Sequence, residues 1–304
     1  MTAGAFEIGL ITFGELTADP ASGQLPEPHQ HLRGVIELAE AADQAGLDVI
    51  GVGEHHRSDF VATAPPMVLA AMAERTRRIR LTSAVTVLSS DDPVRVWEQF
   101  ATLDLLSSGR AEIMAGRGSY TESFPLFGHD LADYADLFRE KLGLLLRIRE
   151  TNPLTWSDGR FRPPLRQADI APRSLQKELP IWVGVGGTPT SAVETGARGL
   201  PVMLGVLLGT VGSHSRIVDL HRLAGERAGR DPATLRVGLG VQGHVGRTST
   251  EARRTMYPHF TAGFGGTPQA QLLASVERLA TEVAPVLRRE LAVPTVTATT
   301  PGRG

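Results

Sequence analysis

Short β-rich runs alternate with longer amphipathic ones along this chain. That alternation restricts it to folds built from βα units around a parallel sheet. The expected strands are Glu7–Phe13, Val49–Gly53, Ile79–Leu88, Ala111–Ala115, Pro180–Val185, Val202–Leu207 and Arg236–Val245. Their apolar continuity, as in Ile181-Trp182-Val183, suits strands covered on both faces. The expected helices are Pro28–Ala45, Ala64–Thr76, Pro93–Leu106, Ala132–Arg149, Pro189–Ala197, Ser213–Ala228 and Gln269–Arg289. Asp92-Pro93 and Thr188-Pro189 each put a capping residue before a proline at the first helical position. Gly46 and Gly109 stand where helices should stop. A chain of 304 residues with this pattern predicts one α/β domain, a (β/α)8-type barrel, over residues 1–304.

Two stretches break the alternation. The connection from Arg117 to Leu179 is far longer than an ordinary crossover, and its part from Thr151 to Lys177 is rich in proline, arginine and polar residues. Long connections in compact domains usually serve function or move, so the insertion at about 151–179 reads as a lid or a dimer contact. At the other end only seven strands are convincing. Helix Thr250–Thr261 is followed by Gly263-Phe264-Gly265-Gly266 and then the last helix, which leaves no room for an eighth strand with its own helix.

Composition narrows the partners. A formal net charge of −2 gives no electrostatic footprint for nucleic acid. The absence of cysteine excludes disulfides, thiolate metal ligands and a cysteine nucleophile. Lys141 and Lys177 are the only lysines, so nearly all the basic charge is arginine. No apolar run approaches the length that spans a bilayer, and Met1 to Phe6 lacks the basic and apolar parts of a signal peptide. The expectation is a cytoplasmic protein without membrane contact.

Four segments carry chemistry, and loops leaving the carboxyl ends of barrel strands are where chemistry belongs. The first is Glu54-His55-His56, an acid and two imidazoles directly after Val49–Gly53. Three adjacent residues rarely converge as metal ligands, and no histidine pair has the spacing of a zinc helix, so no metal is expected. Proton transfer suits the histidines; a hydrogen-bonded structural pair is the bland alternative. Thr82-Ser83-Ala84-Val85-Thr86-Val87-Leu88 has small residues at its centre, which either leave space for a flat ligand or pack tightly between strands. In Gly116-Arg117-Gly118-Ser119-Tyr120 the arginine either meets an anion or sits on the surface beside a turn. Gly184-Val185-Gly186-Gly187-Thr188-Pro189-Thr190-Ser191 opens a helix with hydroxyls beside free backbone donors, the makings of a phosphate site. It has neither the lysine of a P-loop nor the full dinucleotide glycine spacing.

In this order the segments resemble the bacterial luciferase-like family of flavin-dependent oxidoreductases. Pro93-Val94-Arg95, Leu103-Asp104-Leu105-Leu106-Ser107-Ser108-Gly109-Arg110, Phe127-Gly128 and Gly199-Leu200-Pro201 extend the match. The resemblance runs from about residue 6 to 247 and resumes in the last helix. It implies flavin mononucleotide (FMN) at the carboxyl rim of the barrel, used in reduced form with dioxygen on a small organic substrate. It also implies His55 as the active-site histidine, Ala84-Val85 as a cis peptide under the flavin ring, and Gly186, Gly187, Thr188, Ser191 and Arg117 around the phosphate. A homodimer and a separate flavin reductase follow from the family alone. Ala135 stands near the position of a second phosphate arginine in some relatives, with Arg139 one turn on. The family normally has an eighth strand, so a break in the chain near Gly263–Phe264 is a further expectation. Rival readings are a deazaflavin-dependent dehydrogenase or reductase on the same barrel, and a non-catalytic flavin-binding subunit.

Overall fold

The computed structural model describes residues 6–19, 22–157, 159–206, 211–261 and 267–291. Its main sheet takes the order β1 (Gly9–Thr12), β2 (Val49–Val52), β3 (Arg80–Ser83), β5 (Ala111–Gly116), β8 (Ile181–Val185), β9 (Val202–Val206), β10 (Val237–Val241), and every pairing is parallel. β4 (Thr86–Val87) continues the position of β3 after a cis peptide between Ala84 and Val85, and it too pairs with β5. Helices α1 (Pro28–Ala45), α2 (Pro65–Arg75), α3 (Pro93–Leu106), α5 (Tyr134–Glu150), α6 (Pro189–Ala197) and α7 (Ser215–Arg227) cover the outside, with the short α4 (Ser123–Leu126) in the loop after β5. The expected strands all form, most of them a residue or more shorter at their ends.

The barrel has an unsealed seam. Among the described residues β10 and β1 share no ladder, and their side chains stay open there: Ile11 is 41%, Leu239 45% and Val241 57% exposed. The seam is consistent with the shortened barrel that the sequence implies. After α8 (Ser249–Thr261) the chain resumes in α9 (Gln269–Arg278), a π turn and α10 (Ala284–Glu290), which pack on α1 through Gln269 to the Gly34 carbonyl and on the barrel floor through Arg288 to Asp48. The expected break at Gly263–Phe264 lies outside the described residues.

The insertion has regular structure of its own. It holds an antiparallel hairpin, β6 (Leu154–Trp156) with β7 (Leu165–Ala168). Trp97 donates to the Pro172 carbonyl, Arg173 caps the carbonyls of Ile148 and Arg149, and Gln176 binds Asp104. The segment braces the outer helices α3 and α5, and its turn also reaches their amino ends through Arg162 to Asp92 and Arg160 to Asp133.

Charges at the opposite end are structural. Arg80 bridges Glu7 and Glu112, and Arg236 joins Glu7 while lying over the Trp182 ring, which plugs the amino ends of the strands. Asp43, at the end of α1, accepts the backbone amides of Arg77, Arg78 and Ile79 at 2.7–3.0 Å. Burial pushes its carboxyl up, but those three amides and the Arg78 charge outweigh it and hold it below the ordinary value of 3.8. Asp43→Ala should lower unfolding stability by on the order of 3 kcal/mol, because three amides lose a charged acceptor. A depressed folded pKa contributes stability above the unfolded value and loses it as pH falls through the folded one. Chemical denaturation should thus show the variant's deficit at pH 7 shrinking below about pH 4.

Candidate active site at the carboxyl ends of the strands

Strand register brings the four sequence segments to one rim. Val52 pairs with Ser83, Thr86 with Ala115, and Ala115 with Val183. The loops that begin at Gly53, Gly116 and Gly186 therefore leave neighbouring strands at one end, with Ala84–Val85 between them. Room for Val85 comes from its neighbours: a Cβ on Gly116 or Gly184 would lie 2.5 Å from a Val85 methyl. The small residues around Ala84 thus reflect close packing of the cis segment as well as any space for a ligand.

His55 is 8% exposed and enclosed by rings: Phe60 at 4.3 Å, Tyr120 at 4.9 Å and Phe13 at 5.3 Å between centroids. Its Nδ1 lies 4.0 Å from the Glu122 carboxylate. Burial lowers its pKa below 6.5, with the Glu122 and Glu54 charges pulling it back and Arg57 adding to the fall. His56 behaves in the opposite way. Its Nε2 meets Glu54 at 2.8 Å, and that hydrogen bond raises its pKa against burial. Glu54 also accepts the amide of Val87 at 3.0 Å, so the Glu54–His56 pair fastens the loop after β2 to β4. One histidine is a buried ring facing aromatic side chains; the other is a strut.

The second half of the site gathers around α6. Arg117 donates to the Ser191 hydroxyl at 2.9 Å, and its guanidinium lies 5.2 Å from the centre of the Tyr134 ring. A small hollow here is lined by Arg117, Ala135, Arg139, Gly184, Thr188, Thr190 and Ser191 among others. Asp92 caps α3 as expected by accepting the amide of Val94, but Thr188 makes no side-chain cap on α6. The first-turn amides of a helix are the donors that can meet an anion. Gly187 has φ of +96°, a conformation that L side chains rarely adopt, and a Cβ on Gly186 would meet nothing within 4 Å. Arg139 reaches the same hollow but is engaged by Asp136 and Glu194.

The structure thus brings Ala84, Val85, Arg117, Gly186, Gly187, Thr188 and Ser191 to the rim that carries His55. Sequence reasoning missed Phe13, Phe60, Tyr120, Glu122 and Tyr134. Tyr120 lay inside a quoted motif and Glu122 two residues beyond it; Phe13 and Phe60 come from separate loops and Tyr134 from the start of α5, and none of the three carries a local signal. Among the described residues no group of three or more histidine, aspartate or glutamate side chains is placed to hold a metal, and no helix is long and apolar enough to cross a membrane.

A parallel barrel with a histidine pocket and an arginine-backed helix start on one rim has the layout of a barrel enzyme. The chain belongs to the luciferase-like monooxygenase family, whose pattern matches residues 6–301. It is 26% identical over 253 residues to limonene 1,2-monooxygenase of Rhodococcus erythropolis, covering 78% of this chain and 64% of that one. In three dimensions it resembles the oxygenating constituent of 3,6-diketocamphane monooxygenase from Pseudomonas putida, solved in complex with FMN (TM-score 0.75, 17% identity, covering 92% of this chain and 98% of that one). An F420-dependent secondary alcohol dehydrogenase shares the fold as well (TM-score 0.66, 19% identity, covering 94% and 84%). Matches to the first curated relatives span only 54% and 57% of their length.

Proposed function

We propose that this chain is the oxygenase of a flavin-dependent monooxygenase reaction, using reduced FMN and dioxygen on a small organic substrate. One observation carries the reading: a buried imidazole and an arginine-backed helix start are held on one rim, with Ala84–Val85 between them. The donor set fits a phosphorylated ring system. Arg117, Ser191, Thr188 and Thr190 would hold the phosphate, and Gly186 and Gly187 let the backbone approach it. The flavin, when bound, supplies the electron-transfer and oxygen chemistry.

The side chains do the rest. Phe13, Phe60 and Tyr120 shield His55 from water, and that burial lowers its pKa. With Nδ1 turned toward Glu122, Nε2 is the nitrogen left to take or give a proton. A separate flavin reductase would deliver the reduced cofactor, and a homodimer belongs to the same proposal.

A deazaflavin-dependent dehydrogenase is the second reading, favoured by the fold shared with the F420-dependent enzyme. Oxygen uptake separates the two. With reduced FMN and a panel of small aldehydes, ketones and alkenes, substrate-dependent oxygen consumption with an oxygenated product is expected. Alcohol-dependent reduction of a deazaflavin, with no such oxygen consumption, would support the rival. Silence in both assays would point to a non-catalytic subunit.

A further inference from the structure

Lys141 is out of keeping with its chain and with its place. All but two of the 31 basic residues are arginine, yet this one is lysine. It is 7% exposed on the buried face of α5, in line with Leu137, Leu144, Leu145 and Ile148, where a leucine would fit the pattern. Its ammonium donates to the Ser89 carbonyl at 2.8 Å and lies 3.2 Å from Nε2 of His129. Ser89 leaves β4, and the Val87 amide of β4 holds Glu54. His129 belongs to the loop whose Phe127 packs edge-on against His56 at 5.0 Å.

We propose that Lys141 is a positioning residue for the His55 rim: it clamps the loop leaving β4 to the loop at 127–130, and these two hold the Glu54–His56 strut beside His55. The clamp rests on the flavin reading only for what it positions. A compact ammonium can direct its protons to two acceptors on separate loops, whereas a planar guanidinium is larger and fixed in shape.

Stability does not explain the residue. Burial dominates and lowers the Lys141 pKa to about 8, against the opposing pull of Asp91 and Asp92 from the β4 loop and Glu140 from its own helix. A lysine whose folded pKa lies below its unfolded one weakens the fold while it is charged. That loss is complete below about 8 and fades as pH rises toward the ordinary 10.5. The charged form, and with it the clamp, is present at neutral pH and disappears on the alkaline side.

The test compares wild-type protein with Lys141→Met and Lys141→Arg, measuring FMN affinity, melting temperature, FMN-dependent oxygen uptake against pH, and the histidine imidazole titrations by NMR. Wild-type uptake should fall as pH rises through about 8. Lys141→Met should lose about tenfold or more of that rate at pH 7, as a displaced site would. It should also lose the alkaline fall, keep its FMN affinity and melt at the same or a higher temperature. Its His129 should titrate at higher pH, since the Lys141 charge and burial both lower that pKa now. Lys141→Arg should recover part of the rate without the alkaline fall, because arginine does not titrate there. A Met variant with wild-type rate and pH profile overturns the proposal, as does a parallel fall in rate, affinity and melting temperature. Failure of wild-type protein to bind FMN would instead defeat the flavin reading, and the His129 titration would still show whether the clamp exists.

Discussion

His55→Ala should lower turnover by roughly 10²–10⁴-fold while changing flavin affinity little, the signature of a lost proton-transfer group. The imidazole sits among Phe13, Phe60 and Tyr120, whereas the proposed phosphate contacts are Arg117 and the start of α6, so its removal should leave those contacts intact. The pH profile sharpens this. Because burial keeps the His55 pKa below 6.5, wild-type rate should climb with pH along an acid limb centred below that value, and the variant should lack the limb. Glu122→Gln removes a charge that raises the His55 pKa, so its acid limb should move lower still. Steady-state rates across pH 5–8 with parallel binding titrations check both; equal losses of turnover and affinity in His55→Ala would make the residue structural.

Arg117→Ala should produce the complementary pattern. Flavin affinity should fall by more than about 1 kcal/mol, the effect of deleting a charge-assisted contact. Turnover per bound flavin should change little. Arg117 is preorganised for this role: the Ser191 hydroxyl and the Tyr134 ring fix its guanidinium, and the Tyr134 hydroxyl in turn donates to the Gly118 carbonyl at 2.7 Å. Tyr134→Phe should therefore weaken flavin binding by less than Arg117→Ala does. Unchanged affinity in Arg117→Ala would mean that the first turn of α6 binds the phosphate unaided, or that the phosphate lies elsewhere.

Much of the barrel was legible because its signals are local. Asp92-Pro93 starts α3 where a carboxylate can cap and a missing amide does no harm, and the apolar run Ile181-Trp182-Val183 becomes a strand buried on both sides. The missing eighth strand was legible as a shortage of chain between two helices. The hairpin in the insertion was not. Its strands are short, one end is pinned by Asn152 and Asp169, and its turn is held by Glu140 of α5 and by Asp92, which no local pattern announces. The site divided in the same way. Glu54-His55-His56 declared itself by chemistry, but the triplet conceals that one imidazole is a strut and its neighbour is an apolar-pocket ring. The bond of His56 to Glu54 and the rings of Phe13, Phe60 and Tyr120 around His55 distinguish them.

The central claim is that a phosphorylated flavin lies along this rim with its phosphate against Arg117 and α6. It is tested most directly by titrating the protein into FMN and into riboflavin, which has the same ring without the phosphate, and following flavin fluorescence. Saturable quenching of FMN at one flavin per chain, with much weaker binding of riboflavin and loss of that difference in Arg117→Ala, is the predicted result. Equal binding of the two flavins, or none of either, would contradict it.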